Sequence, residues 1–490
     1  MKSLKGIVLM KLFGFGLIFL LVSASAFKTK KPNKETMMAE ITESPQTCSC
    51  EVKSKTKASG KQLKGCQEFR FEPLLALQNY PNFYNFRVIH LTSKSNYLQP
   101  AKIDDETDRL KTFGFDATIK RMQLSIWVLI FTMLTIQWAI LINNWLYWCS
   151  RHLPKNEATV SLSVLIPARN ERENLPELLE TLAPQLKDGM ECWVCDDESE
   201  DGTEEWLARN ANRLGIQWFR SAPRPEGWVG KNWACHQLAA RAQGEWLVFL
   251  DADVRCSKGF INELCAYLNA TDAHLVTAIP SLSYKSLSVA LLKLMVPFSV
   301  FTLLPLKFAE THPHPAFAMA NGQLLAIRKR DYLRWQPHFS VRANVLEDLM
   351  IAALVKRHHG IVRILDGREW LRVLMYPTLK AAIDGFSKNA VAVCRTVPMA
   401  ITVSAMMAML YLFPLVAWVV LPEARLQATL AVLASIPMFG ISARVVGMPF
   451  WLGLGYPIAV ILAIITLMRS IVWYKRGKIV WKGRVYQKGL

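Results

Sequence analysis

The sequence predicts an α/β domain, a parallel sheet covered by helices, mounted on membrane-spanning helices. Three observations carry that expectation. Of the 490 residues, 52% are hydrophobic, more than a soluble enzyme of this length needs for its core. These residues are also concentrated: 122–148, 396–421 and 445–468 contain no Lys, Arg, Asp or Glu. Each is long enough for a bilayer core, which takes about 20 apolar residues. Between the first two stretches lies a polar block in which short apolar runs alternate with helix-like segments.

Along the chain, residues 1–26 have a basic start, an apolar run and small residues at Ala24 and Ala26, the pattern of a signal peptide or an N-terminal anchor. Residues 27–121 read as an N-terminal extension, partly disordered. Its 27–66 part holds nine Lys and four Glu with little apolar content. The stretch 122–148 reads as a transmembrane helix. The block 160–376 runs SLSVLIPA then ERENLPELLETL, ECWVCDDE then EEWLARNANRL, IQWFRS then NWACHQLAARAQ, and GEWLVFLDAD. Strand and helix in alternation with short turns predict a sheet whose strand ends form a ligand edge.

Within this block, 286–306 is apolar with Lys293 as its single charge. A bilayer crossing there would split the domain, so the segment is expected to lie on the membrane surface or beneath the site. Residues 378–395 read as an interfacial helix and 397–473 as a C-terminal transmembrane region. There the run 426–443 is short and interrupted by Pro437, Gly440 and Ser442. Two full crossings with a re-entrant or interfacial piece between them are therefore expected, followed by a tail, 474–490, with six basic residues and no acidic one. Basic flanks stay on the cytosolic side, which predicts a multi-pass protein of the plasma membrane with the polar block and the tail in the cytosol.

The net charge of +19 fits this membrane logic. Nucleic acid is not expected as a partner, because no zinc-finger spacing accompanies the charge. Cys192 and Cys195 form a lone C-x-x-C inside an apolar run and read as small core residues.

The chemistry rests on acidic residues that recur in order. Asp196 and Asp197 follow one apolar run in CDDESEDGT, Asp251 and Asp253 follow another in WLVFLDADV, and Glu347 and Asp348 come later in NVLEDLMIA. Carboxylates emerging from strand ends face one cleft. A departing diphosphate needs a hard cation, which carboxylate oxygens hold, and an attacking hydroxyl needs a base within hydrogen-bond reach.

SVLIPARNERENL, CDDESEDGT, GKNWACHQLAARAQGEWLVFLDADV and VLEDLMIA, in this order, resemble the family 2 glycosyltransferases of GT-A fold (nucleotide-diphospho-sugar transferases, a Rossmann-like domain). GWVGKNWACH, DGFSKN and VWKGRVY are similar to the membrane-bound branch that includes carotenoid- and hopanoid-associated glycosyltransferases. The resemblance implies transfer from a UDP- or GDP-sugar, with Mg2+ or Mn2+, to a membrane lipid. It implies that Pro167, Asn170 and Glu171 line the nucleoside pocket, and that Asp196 or Asp197 bonds the base or ribose. Asp251 would touch the nucleotide and sugar, and Asp253 would ligate the metal. Asp348 would be the base, acting with inversion at the anomeric carbon. Lys231 would lie near the donor phosphates or, as the alternative, on the surface at a helix start. The Q-x-x-R-W motif of processive synthases has no match after Asp348. That speaks against the alternative of a polysaccharide or oligosaccharide synthase. A catalytically inactive membrane binding protein is the other alternative, and the full set of carboxylates speaks against it. His236, His312, His314, His358 and His359 are assigned no role in the site.

Overall fold

The computed structural model describes residues 105–150, 160–477, 479–481 and 484–486. The expected signal peptide or anchor, 1–26, and the extension up to residue 104 lie outside them. The first described element is a long helix, α1 (Asp105–Cys149), whose 120–149 part is apolar enough to span a membrane. The polar block then alternates as β1 (Leu162–Ala168), α2 (Leu175–Leu182), β2 (Glu191–Asp196), α3 (Thr203–Leu214), β3 (Gln217–Arg220), α4 (Gly230–Arg241) and β4 (Trp246–Leu250). Next come β5 (Val254–Cys256), α5 (Phe260–Ala270), β6 (Leu275–Leu282), the apolar α6 (Leu287–Leu303) and the short α7 (Leu306–Thr311). The block closes with β7 (Leu324–Arg328), α8 (Lys329–Trp335), α9 (Pro337–Ser340), α10 (Glu347–Arg357) and β8 (Val362–Val373).

The strands join in one sheet of order β3-β2-β1-β4-β7-β6-β8-β5. Its first half is parallel, with β1 pairing β2 and β4, and β2 pairing β3. The ends of these strands therefore share one edge. The second half departs from the expected parallel sheet: β7 runs antiparallel to β4 and β6, and β5 antiparallel to β8. The reason lies in the connection. After β6 the chain makes a long excursion through α6 and α7 and returns to the sheet from the ligand edge, so β7 enters in the opposite sense.

Strands buried on both faces read as near-continuous apolar runs. Val164, Ile166 and Val248 pack with α2 and α5 on one face, and Leu165, Leu247 and Phe249 with α4 and α10 on the other. Gly244 lets the chain enter β4 against β1. A Cβ there would lie 2.5 Å from the Leu162 carbonyl carbon, and its N–H donates to Ser163 Oγ at 2.8 Å.

A third core joins the sheet to the apolar helices. Ile279 of β6 and Ile364 of β8 pack in it with α6 and α1. Asn144, fully buried in α1, clasps the α6–α7 turn. Its Nδ2 donates to the carbonyls of Phe301 (2.9 Å) and Leu304 (2.8 Å), and its Oδ1 accepts from Leu306 N–H (2.8 Å). A helix end inside an apolar core leaves carbonyls that need a partner, and this side chain supplies one. Three residues on, Tyr147 donates to Glu310 Oε2, whose Oε1 accepts from Ile364 N–H.

Beyond the sheet, α11 (Leu379–Cys394) occupies the segment read as interfacial. It is followed by α12 (Val397–Met407), a π turn and α13 (Phe413–Val420), then α14 (Arg425–Arg444), a 3-10 turn and α15 (Tyr456–Lys475). Two short strands, β9 (Ile479–Trp481) and β10 (Arg484–Tyr486), lie in the tail. Four described segments are long and apolar enough to cross a membrane: Lys120–Cys149, Val397–Val420, Pro422–Arg444 and Phe450–Lys475. Three of these candidates lie in the C-terminal region. The run 426–443, read as interrupted, is the helix α14, which continues unbroken through Pro437. Gly440, read as a breaker, is a packing device: a Cβ there would lie 2.7 Å from the Phe450 ring. Ser442 Oγ donates back to the Met438 carbonyl, which keeps its hydroxyl satisfied without leaving the helix.

Candidate active site

The turns after β1 and β2 are laced together. Asn170, at φ 51°, donates from its backbone to Ser199 Oγ and accepts from Glu200 N–H through Oδ1. Short polar Asn tolerates this left-handed backbone. Glu171 donates its N–H to Thr203 Oγ1 and accepts from Asn174 Nδ2. Pro167 lies in β1, in register with Cys195. Asp196, which ends β2, is fully buried. Its Oδ2 accepts from Ser199 N–H, while Oδ1 has no hydrogen-bond partner among the described residues. Asp197 follows with its N–H on the Ala168 carbonyl.

Asp251 and Asp253 stand just past β4, in the turn before β5. Lys231, the second residue of α4, reaches Asp251. Its Nζ lies 2.6 Å from Asp251 Oδ1 and 2.7 Å from Glu347 Oε1. The two carboxylates hold the ammonium well above its ordinary pKa, against the cost of burial. Between the two readings of Lys231 left open by its spacing, the geometry is that of a residue inside the cluster.

Asp348, the second residue of α10, accepts Leu349 N–H on Oδ1 (2.7 Å) and Gly322 N–H on Oδ2 (2.9 Å). Burial, reinforced by the neighbouring Glu347 charge, raises its pKa to about 6, near where a base must change state. Gly322 is small for a reason. A Cβ there would lie 3.2 Å from Lys231 Nζ, 3.4 Å from Asp348 Oδ2 and 3.5 Å from Glu347 Oε1. Lys231, Asp251, Glu347 and Asp348 thus meet around one glycine.

Three further residues join the neighbourhood. Burial pushes Lys293, on α6, down to about 8 against the opposing pull of the Asp253 charge, and its Nζ donates to the Ser283 carbonyl. Tyr376, at φ 62° just after β8, is raised by burial and by the Asp253 and Asp251 charges. Lys388 of α11 acts on Glu347. The signal for Lys293 was present: a lone charge in an apolar stretch costs too much to be idle. Lys388 lies in the DGFSKN stretch noted in the sequence, whereas Tyr376 carries no such signal, because only the fold brings it back to this edge.

His358 stacks on Trp335, and His236 sits in an aromatic cluster with Trp228, Trp233 and Phe339. Among the described residues no group of three His, Cys, Asp or Glu side chains could hold a metal ion. The oxygen donors of Asp251 and Asp253 suit a hard cation whose remaining ligands come from a diphosphate.

The edge thus gathers carboxylates from the end of β4 and the start of α10 around a half-buried lysine. Residues 163–323 match the family model described as glycosyl transferase family 2. They form a family 2 glycosyltransferase domain of GT-A type, and the protein is a nucleotide-sugar glycosyltransferase. Among known proteins the chain is similar to a 4,4'-diaponeurosporenoate glycosyltransferase of Staphylococcus haemolyticus, 29% identical over 272 residues that cover 53% of this chain and 70% of the relative. It is 26% identical to its namesake in Staphylococcus aureus over 237 residues, covering 47% of this chain and 60% of that one. Of solved structures, the mannosyltransferase PcManGT from Pyrobaculum calidifontis, in complex with GDP-Man and Mn2+, aligns with a TM-score of 0.44 at 16% identity. That alignment covers 71% of this chain and 98% of the other.

Proposed function

We propose that the protein transfers a hexose or similar sugar from a UDP- or GDP-activated donor to a membrane lipid, with inversion, at the cytosolic membrane face. The acceptor is a carotenoid, hopanoid, glycerolipid or related lipid, and the relatives named for 4,4'-diaponeurosporenoate favour the first. The observation that carries this reading is α6. Along one helix, Lys293 faces the Asp253 charge while Phe298 stacks on Phe439 of α14, with ring centroids 3.7 Å apart. The floor of the site is thus also part of the apolar bundle, so a lipid head group has a short route to the carboxylates.

In this reading Pro167, Asn170 and Glu171 line the nucleoside pocket, and the buried Asp196 with Asp197 bonds the base or ribose. Asp251 contacts the nucleotide and sugar, and Asp253 holds Mg2+ or Mn2+. The cation supplies charge neutralisation for the departing diphosphate. Lys231 lies where it can add a second positive charge to that diphosphate. With a hydroxyl acceptor Asp348, fixed by two N–H donors, takes the proton as the acceptor oxygen bonds to the anomeric carbon; a carboxylate acceptor attacks already ionised and leaves no proton to take. The bond from that carbon to the diphosphate oxygen breaks with its electron pair on the leaving group. One base and one in-line displacement give inversion.

Contacts in the bundle support one membrane arrangement. Helix α14 ends against the sheet, with Leu282 N–H on the Val446 carbonyl. Tyr456, at the start of α15, packs on Phe439 and Tyr411, well inside the bundle. The far end of α15 runs along α11, with Ser387 Oγ on the Thr466 carbonyl and Val391 N–H on Ser470 Oγ, and meets the start of α12. Segment 450–475 therefore dips in and returns to the side of the catalytic domain. In this reading the chain crosses with α1, α12–α13 and α14, and segment 450–475 is the re-entrant piece. Arg395, Lys475 and Arg476 then share the domain's side, as basic flanks on the cytosolic face do.

The test is transfer itself. The protein in detergent is incubated with Mn2+ or Mg2+, labelled UDP- and GDP-sugars, and lipids from its own host. Label in a discrete lipid band, absent with Asp253→Ala, supports the reading. Label in a long polymer favours a synthase, and neither transfer nor donor hydrolysis by folded protein favours a binding role.

A further inference from the structure

We propose that Glu347 is a positioning residue for the transfer reaction, holding the Lys231 ammonium between Asp251 on the donor side and Asp348 on the acceptor side. The proposal rests on the reading of Asp348 as the base. Glu347 opens α10, and its side chain is only 10% exposed. A buried carboxylate is costly unless it is matched, and one placed next to another in sequence makes that neighbour harder to ionise. Leu346, the cap of α10, makes no side-chain bond, and Glu347 stands in the first turn, where its carboxylate also accepts from its own backbone N–H. What Glu347 does hold is Lys231, at 2.7 Å.

The ammonium has two carboxylate partners of different kinds. Asp251 sits in the turn after β4 that faces the donor, whereas Glu347 belongs to the helix that carries the base. When a donor diphosphate enters, Lys231 can exchange Asp251 for a phosphate oxygen while Glu347 keeps its grip. Without Glu347 the four-carbon side chain would have to be ordered by the donor alone, at a cost in side-chain entropy.

Glu347 and Lys231 also act on Asp348 with opposite sign. The charge of Glu347 opposes ionisation of Asp348 and that of Lys231 favours it. The other groups facing Asp348 are the N–H groups of Gly322 and Leu349. Glu347 also faces Lys388 from α11 and His338 from α9, and burial drives His338 down to about 3, so it stays neutral.

The experiment measures kcat and donor KM from pH 5 to 9 for the wild type, Glu347→Gln and Lys231→Met, each checked for folding. Glu347→Gln is expected to move the acidic limb of kcat down by about one pH unit, and Lys231→Met to move it up by about as much. Glu347→Gln is also expected to raise donor KM several-fold. Shifts of opposite sign are something a merely structural role would not produce. Limbs that coincide with the wild type, or that move in the same direction, overturn the proposal while leaving the base assignment intact if Asp348→Asn is inactive. Near-normal turnover by Asp348→Asn overturns both. Should Glu347→Gln fail to fold, Glu347→Asp keeps the charge but shortens the reach. It is expected to raise donor KM with the limb in place, and an unchanged KM counts against the proposal.

Discussion

The base assignment has a consequence for stability that is independent of any substrate. Asp348 is raised to about 6 in the folded protein, from an ordinary value of 3.8. A group with a raised folded pKa favours folding only while protonated. Its contribution is fully present below the unfolded value and is lost as pH rises through the folded one. Relative to acid conditions, the ionised Asp348 costs roughly 3 kcal/mol at pH 8, about half of that at pH 5 and less than about 1 kcal/mol at pH 4. Asp348→Asn removes that cost but puts an amide NH2 against one of the two N–H donors that the carboxylate satisfies. Such a mismatch takes back about 1 kcal/mol. The variant is therefore expected to lose transfer activity and yet be more stable than the wild type at pH 8, by about 2 kcal/mol, with the advantage gone near pH 4 to 5. Thermal or denaturant unfolding of donor-free protein in detergent, at half-unit pH steps, measures it. An Asn variant no more stable than the wild type at pH 8, or one whose advantage does not shrink with acid, would show that Asp348 is not held in a strained, base-ready state.

Other expectations concern the metal, the membrane clasp and the tail. Asp253→Ala should abolish the Mn2+-dependent part of donor binding in calorimetry while leaving the fold intact, and metal-dependent binding that survives would move the cation elsewhere. Asn144→Ala leaves two carbonyls and one N–H unpaired in the bundle, at about 1 kcal/mol or more each, so a loss of roughly 3 kcal/mol is expected; a melting temperature within a degree of the wild type would mean that these groups find other partners. Membrane-impermeant thiol reagents should label Cys residues introduced at Arg476 and in the catalytic domain from the same side of sealed vesicles, and one at Glu423 from the other. Labelling of Arg476 with Glu423 would make α15 a full crossing.

What the sequence made legible was what local pattern controls. Apolar runs ending in acidic residues located β2 and β4, because strands buried on both faces leave period-free apolar words that few other structures produce. The carboxylates of the edge could be named for the same reason. What stayed hidden depends on which parts return to that edge. No local feature of Gly322 announces that Lys231, Glu347 and Asp348 converge on it, since its backbone is not unusual and only its missing side chain matters. Gly440 misled in the opposite direction. Its residue type reads as a break, but in α14 the absent Cβ admits Phe450, and the helix continues. Lys293 marks the boundary between the two cases. Its isolation among apolar neighbours was visible, and its purpose became readable only when α6 joined the bundle at one end and the Asp253 charge at the other. A residue that must be both buried for the membrane and charged for the site satisfies two constraints that act at different distances along the chain. Local pattern records the cost of that compromise, and the tertiary contacts record its cause.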